Sequence, residues 1–111
     1  MRSLNFYPFY EYLLRSRQKT TTFRVNEPLL KKGDTAVLTV GWDESNALAL
    51  GEIRISDVYK KRIADLDESD FEGESQDCKS REATKLVLSA IYRKVVTDAD
   101  EVWVVRFMYK Q

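Results

Sequence analysis

Eight consecutive residues, Arg17-Gln18-Lys19-Thr20-Thr21-Thr22-Phe23-Arg24, gather the side chains of this sequence best suited to chemistry. A threonine hydroxyl is a weak nucleophile and needs a base within hydrogen-bond reach. A lysine serves as that base when burial or a neighbouring cation lowers its pKa, and Arg17 and Arg24 supply such cations. In an extended strand, alternate side chains share a face. Thr20, Thr22 and Arg24 then form a row of two hydroxyls and a guanidinium, with Lys19 swinging toward it and Phe23 pointing to the core. Such a row binds a phosphate, a carboxylate or a polarised carbonyl. It equally fits the polar outer face of an edge strand, and residue types alone leave both readings open.

What the sequence lacks narrows the chemistry. Its 111 residues contain no histidine and one cysteine, Cys78. That excludes histidine bases, Ser-His-Asp and Cys-His machinery, and His-liganded metals. A single cysteine forms no internal disulfide, so a reducing cytoplasm is the expected location. Cys78 adjoins Lys79 and a candidate helix start, but it has no histidine partner and reads as incidental. The carboxylates lack EF-hand spacing and no glycine-rich phosphate loop exists, so neither metal nor cofactor is expected. No run reaches the roughly 18 apolar residues of a membrane span. The aromatic N-terminus lacks a signal-peptide core and reads as a folded element. Eighteen basic residues cancel eighteen acidic ones, which argues against nucleic-acid binding by bulk charge.

The length fits one domain, residues 1–111. Pro8 opens a short helix that ends near Arg17, with Phe9, Tyr12 and Leu13 as its apolar stripe. Strands are expected over residues 20–25, 35–42, 48–59 (bent at Gly51) and 101–109. Ser80 caps a second helix, with Ala83, Leu86, Val87, Ala90 and Ile91 on its apolar face. The order α-β-β-β-α-β points to an α+β fold: a strongly bent sheet or small β-barrel with two flanking helices. Charge is uneven along the chain. Residues 1–34 carry seven basic and three acidic side chains, and residues 65–77 carry seven acidic and no basic ones. The acidic run is either a solvated loop or the source of one carboxylate that turns back to the basic segment. Trp42, Trp103 and the six tyrosines stack bases or fill a core. Lys60-Lys61-Arg62 touches phosphates or forms a solvated turn.

The order of these segments resembles the ASCH family of the PUA-like superfamily. Its hallmark is Gly-x-Lys-x-x-x-x-Arg just after the first helix, and Lys19 and Arg24 stand at the signature's Lys and Arg. Lys32-Gly33-Asp34, Arg62-Ile63-Ala64-Asp65-Leu66 and Asp70-Phe71-Glu72-Gly73 resemble later family segments, so the similarity spans nearly the whole chain. One departure stands out: Arg17 occupies the signature's glycine. A non-glycine residue in a left-handed cap costs about 1 kcal/mol, so Arg17 implies a different cap or an added charge at the cleft mouth. The resemblance implies a bent barrel with a cleft that binds RNA or a modified nucleoside. Similar small bacterial members hydrolyse the acetyl amide of N4-acetylcytidine with a Lys, a Thr and a Glu. These map to Lys19 as base, Thr22 as nucleophile and Glu72, with Glu74 the second choice, while Arg24, Thr20 and Arg17 bind substrate. The alternative implied is a non-catalytic RNA- or nucleotide-binding module that uses the same cleft. Lys19 is expected to face the surface, so its loss should leave the fold intact.

Overall fold

The computed structural model describes residues 2–110; Met1 and Gln111, the ends of the expected domain, lie outside the described residues. Five strands form one sheet in the order β1-β3-β4-β5-β2. They are β1 (Ser3–Phe6), β2 (Thr21–Arg24), β3 (Thr35–Val40), β4 (Leu48–Arg62) and β5 (Glu101–Tyr109). Three α-helices accompany them: α1 (Glu11–Arg15), α2 (Glu68–Phe71) and α3 (Arg81–Tyr92). β1 runs parallel to β3, and the other neighbours are antiparallel. The sheet is α+β and curls into a half-barrel, with β1 and β2 as its two edges.

β4 produces much of the curl. Its alternation buries Ile53 and Ile55. The bend expected at Gly51 is a bulge: Leu38 pairs with Gly51 and Thr39 with Ala49, which leaves Leu50 as the extra residue. A second bulge at Ser56 separates the Ile55–Phe107 and Asp57–Arg106 pairs. Each extra residue bends its strand and increases the twist.

Three expectations are corrected. First, the N-terminal segment supplies a strand, β1, so the order α-β-β-β-α-β lacked its first element. Leu4 and Phe6 enter the core and Leu4 pairs with Leu38. Second, the stripe Phe9, Tyr12 and Leu13 is not the buried one. Residues Pro8–Tyr10 form a 3-10 turn before α1, and this rotates Tyr10 and Leu14 inward. Third, α3 begins as expected, with Ser80 Oγ accepting from the Ala83 amide at 3.0 Å. Its buried positions are Thr84 and Leu88, however, while Leu86 is exposed.

The buried side chains form two clusters. Leu4, Phe6, Tyr10, Leu14, Ile53 and Phe107 belong to one. Phe23, Ile63, Phe71, Leu88 and Val104 belong to the other. A cavity opens where the two meet.

Candidate functional site

The acidic loop is fastened to β2 by a glycine. The Gly73 carbonyl accepts from the amides of Thr20 at 2.8 Å and Thr21 at 3.1 Å. Gly73 has φ of +77°, and a Cβ there would stand 2.0 Å from Thr20 Oγ1. Glycine is required for both the left-handed backbone and the close approach. Thr21 Oγ1 adds a hydrogen bond to the Glu72 carbonyl at 2.6 Å. This seam fixes the residue after Gly73, Glu74, opposite the residue before Thr20, Lys19.

Lys19 is held from the other side. Arg17 takes φ of 61°, and the amides of Gln18 and Lys19 donate to the Leu13 carbonyl, closing α1. The Tyr109 hydroxyl donates to the Lys19 carbonyl. Lys19 is only 2% exposed. Its Nζ donates to Glu74 Oε1 and to Ser75 Oγ at 3.4 Å. The Glu74 carboxylate also accepts from the Ser75 amide at 2.8 Å and the Ser75 hydroxyl at 3.1 Å. Nζ lies 4.9 Å from the Tyr10 ring centre and 5.7 Å from that of Phe6. Burial pulls the Lys19 amine down to about 7; Arg24 and Lys79 push the same way, and Cys78 and Asp77 oppose it.

Arg24 reaches from one sheet edge to the other. Its Nη2 donates to the Asn5 carbonyl on β1 at 2.8 Å, and its Nε donates to Thr22 Oγ1 at 3.2 Å. The guanidinium lies over the Phe6 ring at 4.9 Å, and burial lowers its pKa. Because Thr22 Oγ1 accepts from Arg24, its own proton is directed elsewhere.

Lys19, Thr22, Arg24 and Glu74 line one cavity of about 290 Å³ in the gap between β1 and β2. Tyr10, Val87, Leu88 and Tyr92 wall it on other sides, and Tyr7, Trp42 and Glu44 also line it. The volume is near the lower end of small-ligand sites, which span about 300–1,000 Å³. Among the described residues, no three His, Cys, Asp or Glu side chains gather where they could hold a metal ion, and no helix is long and apolar enough to cross a membrane.

Two solved structures share this architecture. One is a crystal structure of a protein from Enterococcus faecalis V583, placed in the family model DUF984. It matches with TM-score 0.65 at 19% identity, over 98% of this chain and 80% of that one. The other is the ASCH domain from Lactobacillus crispatus JV V101, with TM-score 0.62 at 18% identity, over 88% of this chain and 68% of that one. The fold is ASCH/PUA-like. No protein-family model and no curated protein matches the sequence.

Within this ASCH/PUA-like frame, the residues singled out from sequence separate. Lys19, Thr22 and Arg24 meet in the cavity. Thr20 does not line it, because the Gly73 seam occupies that residue. Arg17 adopts the left-handed conformation that its replacement of glycine argued against, and it lies over the Tyr109 ring at 5.8 Å, in a separate pocket. It therefore adds no charge to this cavity mouth. Glu72 is exposed and contributes only its backbone carbonyl to the seam; the carboxylate facing Lys19 is Glu74. The parity of an extended chain sends Glu72 and Glu74 to the same side only without a turn between them, and Gly73 makes that turn. The expectation of a surface-facing Lys19 is likewise overturned by its burial. Cys78 lines the cavity, but burial and Asp77 push its thiol up to about 12, so it is no nucleophile at neutral pH.

Sequence reasoning missed Asn5, Tyr10 and Asp77. The Tyr10 hydroxyl donates to Asp77 Oδ2 at 2.9 Å, which ties the helical turn before α1 to the acidic loop. The excess of acid in residues 65–77 pointed to some contact of this kind without giving the residue. Asn5 gave no signal, because its role comes from its backbone carbonyl on an unrecognised strand.

Proposed function

We propose that this cavity binds a modified nucleoside and hydrolyses an acyl amide on its base, N4-acetylcytidine being the test case. The observation that carries the reading is the buried Lys19–Glu74 pair beside Thr22 and Arg24. Thr22 Oγ attacks the amide carbonyl carbon while the neutral Lys19 amine takes the hydroxyl proton. Arg24 donates to the oxygen that becomes negative in the tetrahedral intermediate. The C–N bond breaks as the proton, passed through Lys19 and Glu74, reaches the leaving nitrogen. Water then hydrolyses the acyl-threonine, releasing the carboxylic acid and restoring the hydroxyl.

The competing reading, a non-catalytic module for RNA or nucleotides, uses the same walls. A carboxylate buried at the cavity floor weighs against a site built for a polyanion. The test compares wild type with Thr22→Ala and Thr22→Ser on N4-acetylcytidine. The expected result is turnover by wild type, none by Thr22→Ala, and partial turnover by Thr22→Ser. Wild-type protein that binds the nucleoside without releasing acetate would establish the binding module instead.

A further inference from the structure

Trp42 and the half-buried Tyr7 line the cavity, and the exposed Phe9 ring lies against both. Trp42 is 70% exposed and Phe9 55%. Their ring centres are 6.1 Å apart, and Tyr7 lies 5.1 Å from Trp42 and 5.9 Å from Phe9. Trp42 sits at the start of the β3–β4 turn, mostly exposed and with the Tyr7 ring tilted against it. The Asp43 carboxylate next to it accepts from the Ser45 amide at 3.0 Å and caps the 3-10 turn Glu44–Asn46. Tyr7 and Trp42 line the same cavity as Lys19 and Thr22, so the platform continues the catalytic pocket and is not a separate apolar face.

Of the charges around this mouth, Lys19 and Glu74 form an ion pair, and Arg24 donates to the Asn5 carbonyl and Thr22. Glu44 lines the cavity next to Trp42, and Asp43 adjoins it in the turn. A phosphate carried near the platform meets the carboxylates of Asp43 and Glu44 on the β3–β4 turn. A flat, uncharged ring meets an aromatic surface with a desolvated polar floor beyond it.

We propose that Trp42, supported by Tyr7, is the stacking platform that selects an uncharged planar heteroaromatic ring for this cavity, and that Glu44 turns away ligands bearing a phosphate. The inference rests on the nucleoside reading above, but on its ligand class and not on turnover. The ring stacks on the exposed Trp42, with its acylated edge directed toward Thr22.

The sequence has two tryptophans, Trp42 and Trp103, so Trp103→Phe leaves Trp42 as the sole indole reporter. Its fluorescence is titrated with N4-acetylcytidine, cytidine, N4-acetylcytidine 5′-monophosphate and the aliphatic amide N-methylacetamide. Calorimetry on otherwise wild-type protein and on Trp42→Ala gives the same affinities without the Trp103 substitution. Saturable quenching by the nucleosides is expected. Trp42→Ala should weaken them about ten-fold, the scale of one base–aromatic stack. The monophosphate should bind about ten-fold more weakly than its nucleoside, and Glu44→Gln should narrow that gap. Unchanged nucleoside affinity in Trp42→Ala, equal affinity for the monophosphate, or no nucleoside binding would overturn the platform. Stacking without acetate release would sink the hydrolase and leave the platform standing. Hydrolysis of the aliphatic amide with no nucleoside binding would do the reverse.

Discussion

Lys19 pairs with Glu74 where both side chains are almost fully buried. Removing the lysine leaves the buried Glu74 carboxylate without its donor, at a cost of about 1–3 kcal/mol. Lys19→Ala therefore tests stability as much as activity, and Thr22 is the cleaner probe of chemistry. The lowered Lys19 pKa gives a pH signature. Only the neutral amine accepts a proton, so hydrolysis should climb as pH rises through about 7 and level off above it. The rate at pH 6 should be about a tenth of that at pH 8, and a flat profile across this range would remove Lys19 as the base. The same shift acts on stability. The unfolded lysine, at its ordinary 10.5, holds its proton more tightly than the folded one at about 7. Lys19 thus adds stability as pH rises between those values. The Cys78 thiol, raised from 9.0 to about 12, acts in the opposite sense above 9.

Arg17 offers a second prediction at this scale. A non-glycine residue at φ of 61° carries strain that glycine lacks. Arg17→Gly gives up only an exposed cation above Tyr109, so it should stabilise by about 0.5–1 kcal/mol and raise the melting temperature by a few degrees. A lower melting temperature would mean that the Tyr109 contact outweighs the strain.

At the scale of elements, β2 and the acidic loop form the site together, and Gly73 is the joint. Gly73→Ala forces a Cβ into Thr20 and strains a positive φ. The expected loss is about 1–3 kcal/mol in denaturant unfolding, with hydrolysis falling further than stability because Glu74 moves off Lys19. Retained activity would show that the seam does not set the pair. This joint also marks how far the sequence could be read. The strand from Thr21 to Arg24 was visible from its β-branched run, and Ile53 and Ile55 from their alternation. Lys19, Thr22 and Arg24 followed from that strand. Glu74 stood only second to Glu72, since a side chain's direction beyond a left-handed glycine depends on that turn's geometry and not on any period. β1 was hidden for a related reason: four residues pairing in parallel with β3 carry too short a pattern to announce a strand. On α1 and α3 the helical period was legible, but its phase was set by how each helix meets the sheet.

For the whole molecule, the zero net charge comes with ion pairing at the most basic run of the sequence. The basic run that sequence offered to phosphates is engaged: Lys60 with Glu101 at 3.7 Å, Lys61 with Asp70 at 2.7 Å, and Arg62 with Asp65 at 3.3 Å. Lys61 also lies 3.6 Å from Asp67, and its pKa is raised by the hydrogen bond to Asp70. A phosphate backbone approaching these three residues must displace carboxylates before it gains a cation. Single-stranded RNA should therefore bind weakly, with a shallow dependence on salt, because the slope of log affinity against log salt is about −0.7 for each phosphate neutralised. A titration of single-stranded RNA at several salt concentrations measures that slope. A value equivalent to about six or more phosphates would show that these ion pairs open to RNA and would contradict a nucleoside-sized site. Absence of binding at low salt would fit a nucleoside-sized cavity whose lining includes Glu44.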